Sequence, residues 1–321
     1  MYSLLYKSKQ IFFALIKISI VVGAFYFIYA KLIKNDDLIF SVFCQFLIKN
    51  KIFSPKNVFF LIVLSIFNWF FEILKWQYLV SEIKKIKFKT ALQQSLGALT
   101  VSLLTPNRIG EYGAKAIFYN KEFRKRILLI NLMSNVMQMS TTCIFGVIGF
   151  WFFTSKYALK LDYYKLTLGL LFIIFAFSLG AYIMKKSKFT IKGFSLEKLK
   201  VFIKIFNKKT IFLGFLFSLI RYLVFSFQFY FLLHIFKVEI SYLNAMMVIS
   251  SMYFLSSIIP TISFFDVVIK GSVALYLFSF VGVDELVILN ITTLMWLLNF
   301  VLPSLVGSYF VLNFKYPREN D

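Results

Sequence analysis

Leu103-Leu-Thr-Pro-Asn-Arg-Ile-Gly-Glu-Tyr-Gly-Ala-Lys-Ala-Ile-Phe118 places Arg108, Glu111 and Lys115 inside a run otherwise apolar enough to lie in a membrane. A charged side chain at the bilayer centre costs at least about 2.5–3.5 kcal/mol, so ionisable clusters at that depth mark functional sites by default. Pro106 and Gly110 are expected to break the local helix. Lipid tolerates such a break only where the freed backbone is buried in protein or lines a wet cavity. A second, weaker copy follows as Ile259-Pro-Thr-Ile-Ser-Phe-Phe-Asp-Val-Val-Ile-Lys-Gly-Ser272, with Pro260, Asp266 and Lys270 in the matching places.

Outward from these stretches the chain is 60% hydrophobic, with a mean hydropathy of +0.79. Several runs approach or exceed the roughly 20 residues that span a bilayer, so the fold class is an all-α polytopic membrane protein. The formal charge of +22 is gathered as lysines in short loops between apolar runs. That distribution fits the positive-inside bias and attraction to anionic lipid, and excludes a nucleic-acid partner as the leading explanation. His234 is the only histidine, which argues against metal sites and histidine-based triads, and Cys44 and Cys143 imply no disulfide framework. No cofactor is expected. The N-terminal apolar run Ile11–Ala30 is longer than a signal-peptide core and reads as a retained first span.

Further spans are expected at Val58–Leu74, Ile127–Phe153, Tyr164–Met184, Thr210–Phe236 and Leu286–Leu312, about six in all. Between them lie two broken pairs, Ala91–Leu104 with Ile109–Tyr119 and Tyr242–Ile259 with Val267–Phe280. The members of the first pair are about 21 and 17 Å long as helices, too short for a core of about 30 Å, so a re-entrant hairpin with Pro106 near its tip is expected. The second pair is either re-entrant or spanning. Assigning the N-terminus, 75–89, 121–126, 185–209 and 315–321 to one side collects 22 basic residues, against 9 in the opposite loops. This asymmetry predicts both termini in the cytoplasm of a bacterial-type inner membrane.

A shift of about 153–159 residues superposes Pro106 on Pro260, Glu111 on Asp266, Lys115 on Lys270 and Asn131 on Asn290, and Ser65-Ile-Phe-Asn-Trp69 on Ser218-Leu-Ile-Arg-Tyr222. The chain is therefore read as one membrane domain over 1–321, with repeat A at about 1–154, repeat B at about 155–314 and a short tail at 315–321. The two units start on opposite sides, as inverted-topology repeats do in transporters that bind substrate at discontinuous helices.

Arg108 has two readings: a bidentate ligand for phosphate beside a helix N-terminus, or a residue that snorkels or fixes the turn. Glu111 and Lys115, in the favoured i,i+4 order, are either a self-neutralising pair or a partner for a cationic headgroup. Asp266 and Lys270 repeat that spacing. Arg221 lies mid-span and requires a carboxylate, either Glu72 or Asp266. Lys17 reads as snorkelling and His234 as interfacial. Asn131, Ser134, Asn135, Gln138, Thr141 and Thr142 recur at helical spacing, either bonding between helices or walling a hydrated groove.

Thr105-Pro-Asn-Arg-Ile-Gly-Glu111 followed by Lys115 and a long polar-studded span resembles the transmembrane, flippase-like domain of lysylphosphatidylglycerol synthetases. The proline-led second hairpin, Gly282-Val-Asp and a final span with Pro303 and Gly307 are similar too, and the resemblance covers essentially the whole chain. It departs from the family at Ile262-Ser-Phe-Phe-Asp266, where relatives often carry a glycine pair. The chain ends at Asp321 without a soluble aminoacyl-transferase domain, so lysyl transfer is not expected. The repeated ionisable hairpins lead to the expectation of a non-enzymatic translocase that binds its substrate at Arg108, Glu111, Lys115, Arg221, Asp266 and Lys270. The resemblance implies that the substrate is a lipid, a phospholipid or polyprenyl-type glycolipid. The alternative is an accessory subunit presenting a lipid-linked substrate to a partner enzyme such as a glycosyltransferase.

Overall fold

Ser54 begins the first long helix by accepting a hydrogen bond from the Asn57 amide, with Pro55 in the first helical position, where its missing N–H is no loss. The computed structural model describes residues 15–23, 54–105, 108–157, 206–258 and 266–316, together with Phe202 and scattered positions between Phe25 and Ile48. Within these residues every regular element is helical: α1 (Pro55–Val80), α2 (Phe88–Ser102), α3 (Ile109–Ala116), α4 (Lys121–Tyr157), α5 (Lys208–Ile235), α6 (Tyr242–Ile258), α7 (Asp266–Ser279), α8 (Glu285–Trp296) and α9 (Leu302–Leu312). A π-helical turn, Leu297–Val301, joins α8 to α9 without a break.

Four of these pieces, α1, α4, α5 and the continuous Glu285–Leu312, are long and apolar enough to cross a bilayer. The expected span Tyr164–Met184 lies outside the described residues, as do Pro106 and Pro260. Helix α1 runs six residues beyond the expected Val58–Leu74 and carries Lys75 into the protein interior. The polar Lys75 looked like the start of a loop. Glu72 one turn earlier neutralises it, so the helix continues to Ser81. Lys17, expected to snorkel, instead donates to the carbonyls of Leu312 and Phe314, at 3.3 and 2.5 Å, and caps the end of α9.

Helices α2 and α3 form the first hairpin. At 15 and 8 residues they are roughly 22 and 12 Å long, and neither crosses a bilayer alone. Gly110 does not break the helix; it is the second residue of α3. A Cβ there would meet Thr105 Oγ1 at 2.8 Å and the Val101 carbonyl at 3.0 Å, so glycine allows the two arms to close on each other.

Packing follows an exchange pattern. α1 packs along α5, α6 along α4, and α9 along α2, while α2 rests on α3 and α6 on α7. The short helices α2 and α6 thus each lie against a helix distant in sequence, α9 and α4 respectively. Among the described residues, the two largest of four apolar clusters hold the bundle. One joins Leu61 to Phe229, Ile249, Phe278 and Ile288. The other joins Ile73, Trp76 and Leu79 to Ala91, Tyr119 and Ile130. Along α1, Asn68 and Glu72 fall between these clusters, and there the polar groups of several helices meet.

Candidate functional site

Helix α3 opens at Arg108, whose backbone is left-handed (φ 57°, ψ 26°). A non-glycine residue there stores about 1–3 kcal/mol of strain, which persists only where surrounding contacts impose it. From this corner the guanidinium lies 3.1 Å from Glu111. Glu111 also meets Lys115 Nζ at 2.8 Å, and both of these side chains are buried. Lys115 is enclosed further by Asn131 Oδ1 at 2.8 Å and by the face of Trp76, 4.1 Å from the ring centre. Gln94 fixes Trp76 in turn, accepting from both the indole N–H and the Tyr119 hydroxyl. The first-turn amide of Gly110 is taken by Thr105 Oγ1 at 2.8 Å. That part of the helix end expected to attract an anion is therefore filled by the protein's own groups.

A second cluster repeats this chemistry. Arg221 on α5 pairs with Glu72, and Lys75 lies 2.8 Å from the same carboxylate oxygen. Of the two carboxylates considered for Arg221, Glu72 meets it, and the side chain of Asp266 lies outside the described residues. The guanidinium also donates to Asn68 Oδ1 at 3.0 Å and Gln138 Oε1 at 3.3 Å. Each carboxylate is thus clamped between one arginine and one lysine. A buried ion pair persists only where such extra hydrogen bonds satisfy its remaining valences.

Between the clusters opens a cavity of about 630 Å³. Its wall includes Glu72, Arg108, Glu111, Arg221 and Lys270, so charged residues of α1, α3, α5 and α7 converge. Lys115 stands behind the wall, holding Glu111. Lys270 and Arg108 approach the same aromatic ring, Phe300, at 5.7 and 5.9 Å from its centre. Asp266 begins α7, and its side chain lies outside the described residues. Asn135, Gln138 and Thr142 of the polar series line the cavity, while Asn131 and Gln138 bond across helices, so the series does both jobs considered for it.

Below Arg221 a buried chain of amides leads away from the cavity. Asn68 donates to Asn299 (2.7 Å), Asn299 to Gln228 (2.8 Å), and Gln228 to Ser65 (2.9 Å). Asn299 sits in the π turn, a local widening that recurs at functional sites. On the far side of Trp69 lies an apolar groove of about 370 Å³ between Ile66, Phe70, Leu92 and Val306; Trp69 lines both spaces.

The family described as lysylphosphatidylglycerol synthase TM region matches residues 14–307. The chain belongs to this family. No curated protein matches the sequence. Family membership and the four long apolar helices together make this a multi-pass membrane protein. In this lysylphosphatidylglycerol synthase TM-region member the sequence singled out both hairpins and Arg221, but not Lys75, Asn299 or Phe300. Glu72 and Lys75 at i,i+3 were a readable signal, since the pair repeats the acid-before-base order of Glu111 and Lys115. Asn299 and Phe300 had no such signal in a chain with 43 phenylalanines.

Proposed function

We propose that the protein binds a phosphate-bearing lipid or lipid-linked substrate and moves its headgroup across the membrane without altering it. The observation that carries this reading is the cavity wall, where Arg108, Arg221 and Lys270 meet inside a membrane-spanning bundle. Its volume lies within the range of small-molecule sites and suits a headgroup. The apolar groove beyond Trp69 would take part of a tail. The carboxylates Glu72 and Glu111 are each engaged by two cations, which leaves neither poised as a general base and supports transport over catalysis.

We read the exchange pattern of helix packing as two inverted-topology repeats with a re-entrant first hairpin, and the asymmetry of basic residues between loops as both termini on the cytoplasmic face of an inner membrane. Single cysteines at Asn107 and Ser263, in a background with Cys44 and Cys143 replaced by serine, test that topology. Free labelling of position 107 from the cytoplasm alone would count against a first hairpin that enters the membrane.

The function is tested in proteoliposomes with headgroup-labelled phospholipid and a membrane-impermeant quencher. The protein should expose inner-leaflet label, and Arg108→Ala with Arg221→Gln should slow that exposure at least tenfold. Wild-type rates no higher than those of the double variant would sink the reading. Stable co-extraction with a transferase, without any exposure, would point instead to substrate presentation.

A further inference from the structure

Helix α3 carries Glu111 and Lys115 and opens at Arg108, yet little apolar packing holds it in place. It is eight residues long, and its buried face consists of Glu111, Ala114, Lys115 and Ala116, an ion pair and two alanines. Turns at 103–105 and 117–119 set it apart from α2 and α4. A Cβ at Gly113 would meet nothing within 4 Å among the described residues, so one face of the helix is free. Segments with so few buried apolar contacts open at lower cost than the bundle around them. We infer that residues 313–316, just beyond α9, are a strap that docks α3 from its C-terminal end and so positions Arg108 and Glu111 at the cavity. The consequence for function rests on the phosphate-lipid reading, while the strap itself needs no substrate and is tested without one.

Three contacts tie the segment down. Lys17, on the N-terminal helix, donates to the carbonyls of Leu312 and Phe314. The Phe314 ring meets Phe118 edge to face, with centres 4.7 Å apart, just past the end of α3. The Arg124 guanidinium lies over the Tyr316 ring, 5.3 Å from its centre, and donates to the Tyr316 hydroxyl. Arg124 Nε also donates to the Tyr119 carbonyl at 3.0 Å, so one side chain joins the segment to the turn between α3 and α4. The amides of Phe118 and Tyr119 bond back to the carbonyls of Lys115 and Ala116, the last residues of α3. From there Lys115 holds Glu111, and Glu111 holds Arg108. An unbroken series of contacts therefore runs from Tyr316 to the cavity wall. Tyr316 is exposed, so releasing it uncovers no core.

The experiment is amide hydrogen exchange on the purified full chain in phosphatidylcholine nanodiscs. Phe314→Ala with Tyr316→Ala should speed exchange across residues 111–116 at least tenfold, and leave the stretches around Gln228 in α5 and Ile249 in α6 as they are in the wild type. Tyr316→Phe keeps the ring beneath Arg124 and should leave α3 close to the wild type. Arg124→Gln releases the strap from its other side, and it is read in the same way if the alanine pair does not fold. Unchanged exchange in α3 overturns the inference, as does a rise of equal size throughout the bundle. Failure of both variants to fold overturns it too, since the segment would then belong to the core. Absence of headgroup movement by the wild type in proteoliposomes would sink the phosphate-lipid reading and leave the strap standing. Uniform exchange with headgroup movement intact would do the reverse.

Discussion

Lys115 Nζ lies 2.8 Å from Glu111 Oε1, and with both side chains almost wholly removed from solvent each supplies a counter-charge to the other. Removing one member of such a pair costs about 3–5 kcal/mol, because the survivor is left buried and uncompensated. Lys115→Met is therefore expected to lower the thermal unfolding midpoint of the detergent-purified protein sharply. Lys115→Met combined with Glu111→Leu should recover most of the loss. A double variant as unstable as the single one would show that the pair's surroundings, such as Asn131 and Trp76, matter more than its charge.

Arg108 sets function against stability. Its left-handed backbone favours glycine, while its guanidinium stands at the cavity. Arg108→Gly is expected to hold the unfolding midpoint or raise it, a gain of up to about 1 kcal/mol being typical where strain is relieved. The same variant should lose lipid binding. Arg108→Ala keeps the strain and should lose both, so the difference between the two unfolding curves isolates the backbone term.

Asn299 ties Asn68 on α1 to Gln228 on α5 through two short hydrogen bonds. Asn299→Leu keeps the branching at Cγ but leaves buried amides short of partners, at about 1–3 kcal/mol for each unsatisfied group. The variant should unfold earlier. It should also slacken Arg221, which shares Asn68, and thereby weaken lipid binding more than a substitution at the distant Asn313 would. Unfolding curves and the binding of a fluorescent phospholipid read the two effects separately.

Gly307 is where α9 crosses α2, and a Cβ there would overlap the Leu96 carbonyl and Thr100 Oγ1. Backbone cannot step aside as a side chain can, so Gly307→Ala is expected to cost about 1–3 kcal/mol. Gly113 in α3 has nothing within 4 Å of the same position. Gly113→Ala should stabilise by roughly 0.5–1 kcal/mol through helix propensity alone. Paired thermal melts check both signs.

The bundle was legible where a single segment carries its own signal. Apolar run lengths located the four long spans found among the described residues, and the i,i+4 order of Glu111 and Lys115 foretold their ion pair. Burial of the pair was legible too, since charge within an apolar run has to be met locally. What could not be read depends on distant partners. Nothing around Phe300 says that Arg108 and Lys270 approach its ring, and nothing around Gln94 says that it fixes both Trp76 and Tyr119. The end of α1 was set too early because Lys75 is polar in isolation and becomes an interior residue only beside Glu72 and Ser134. Gly110 was mistaken for a helix breaker because sequence shows its flexibility but not the Thr105 side chain that it lets approach.

The π turn at Leu297–Val301 has a consequence for the azimuth of the last span. Each residue of an α-helix advances the face by about 100°, and a π turn accommodates one extra residue without breaking the rod. Upstream, α8 is directed at α7; downstream, α9 is directed at α2. Excising a single residue from the turn would leave composition and length almost untouched, yet rotate Gly307 out of its contact with Leu96. The last span thus behaves as two rods set out of phase on one axis, one serving each half of the bundle.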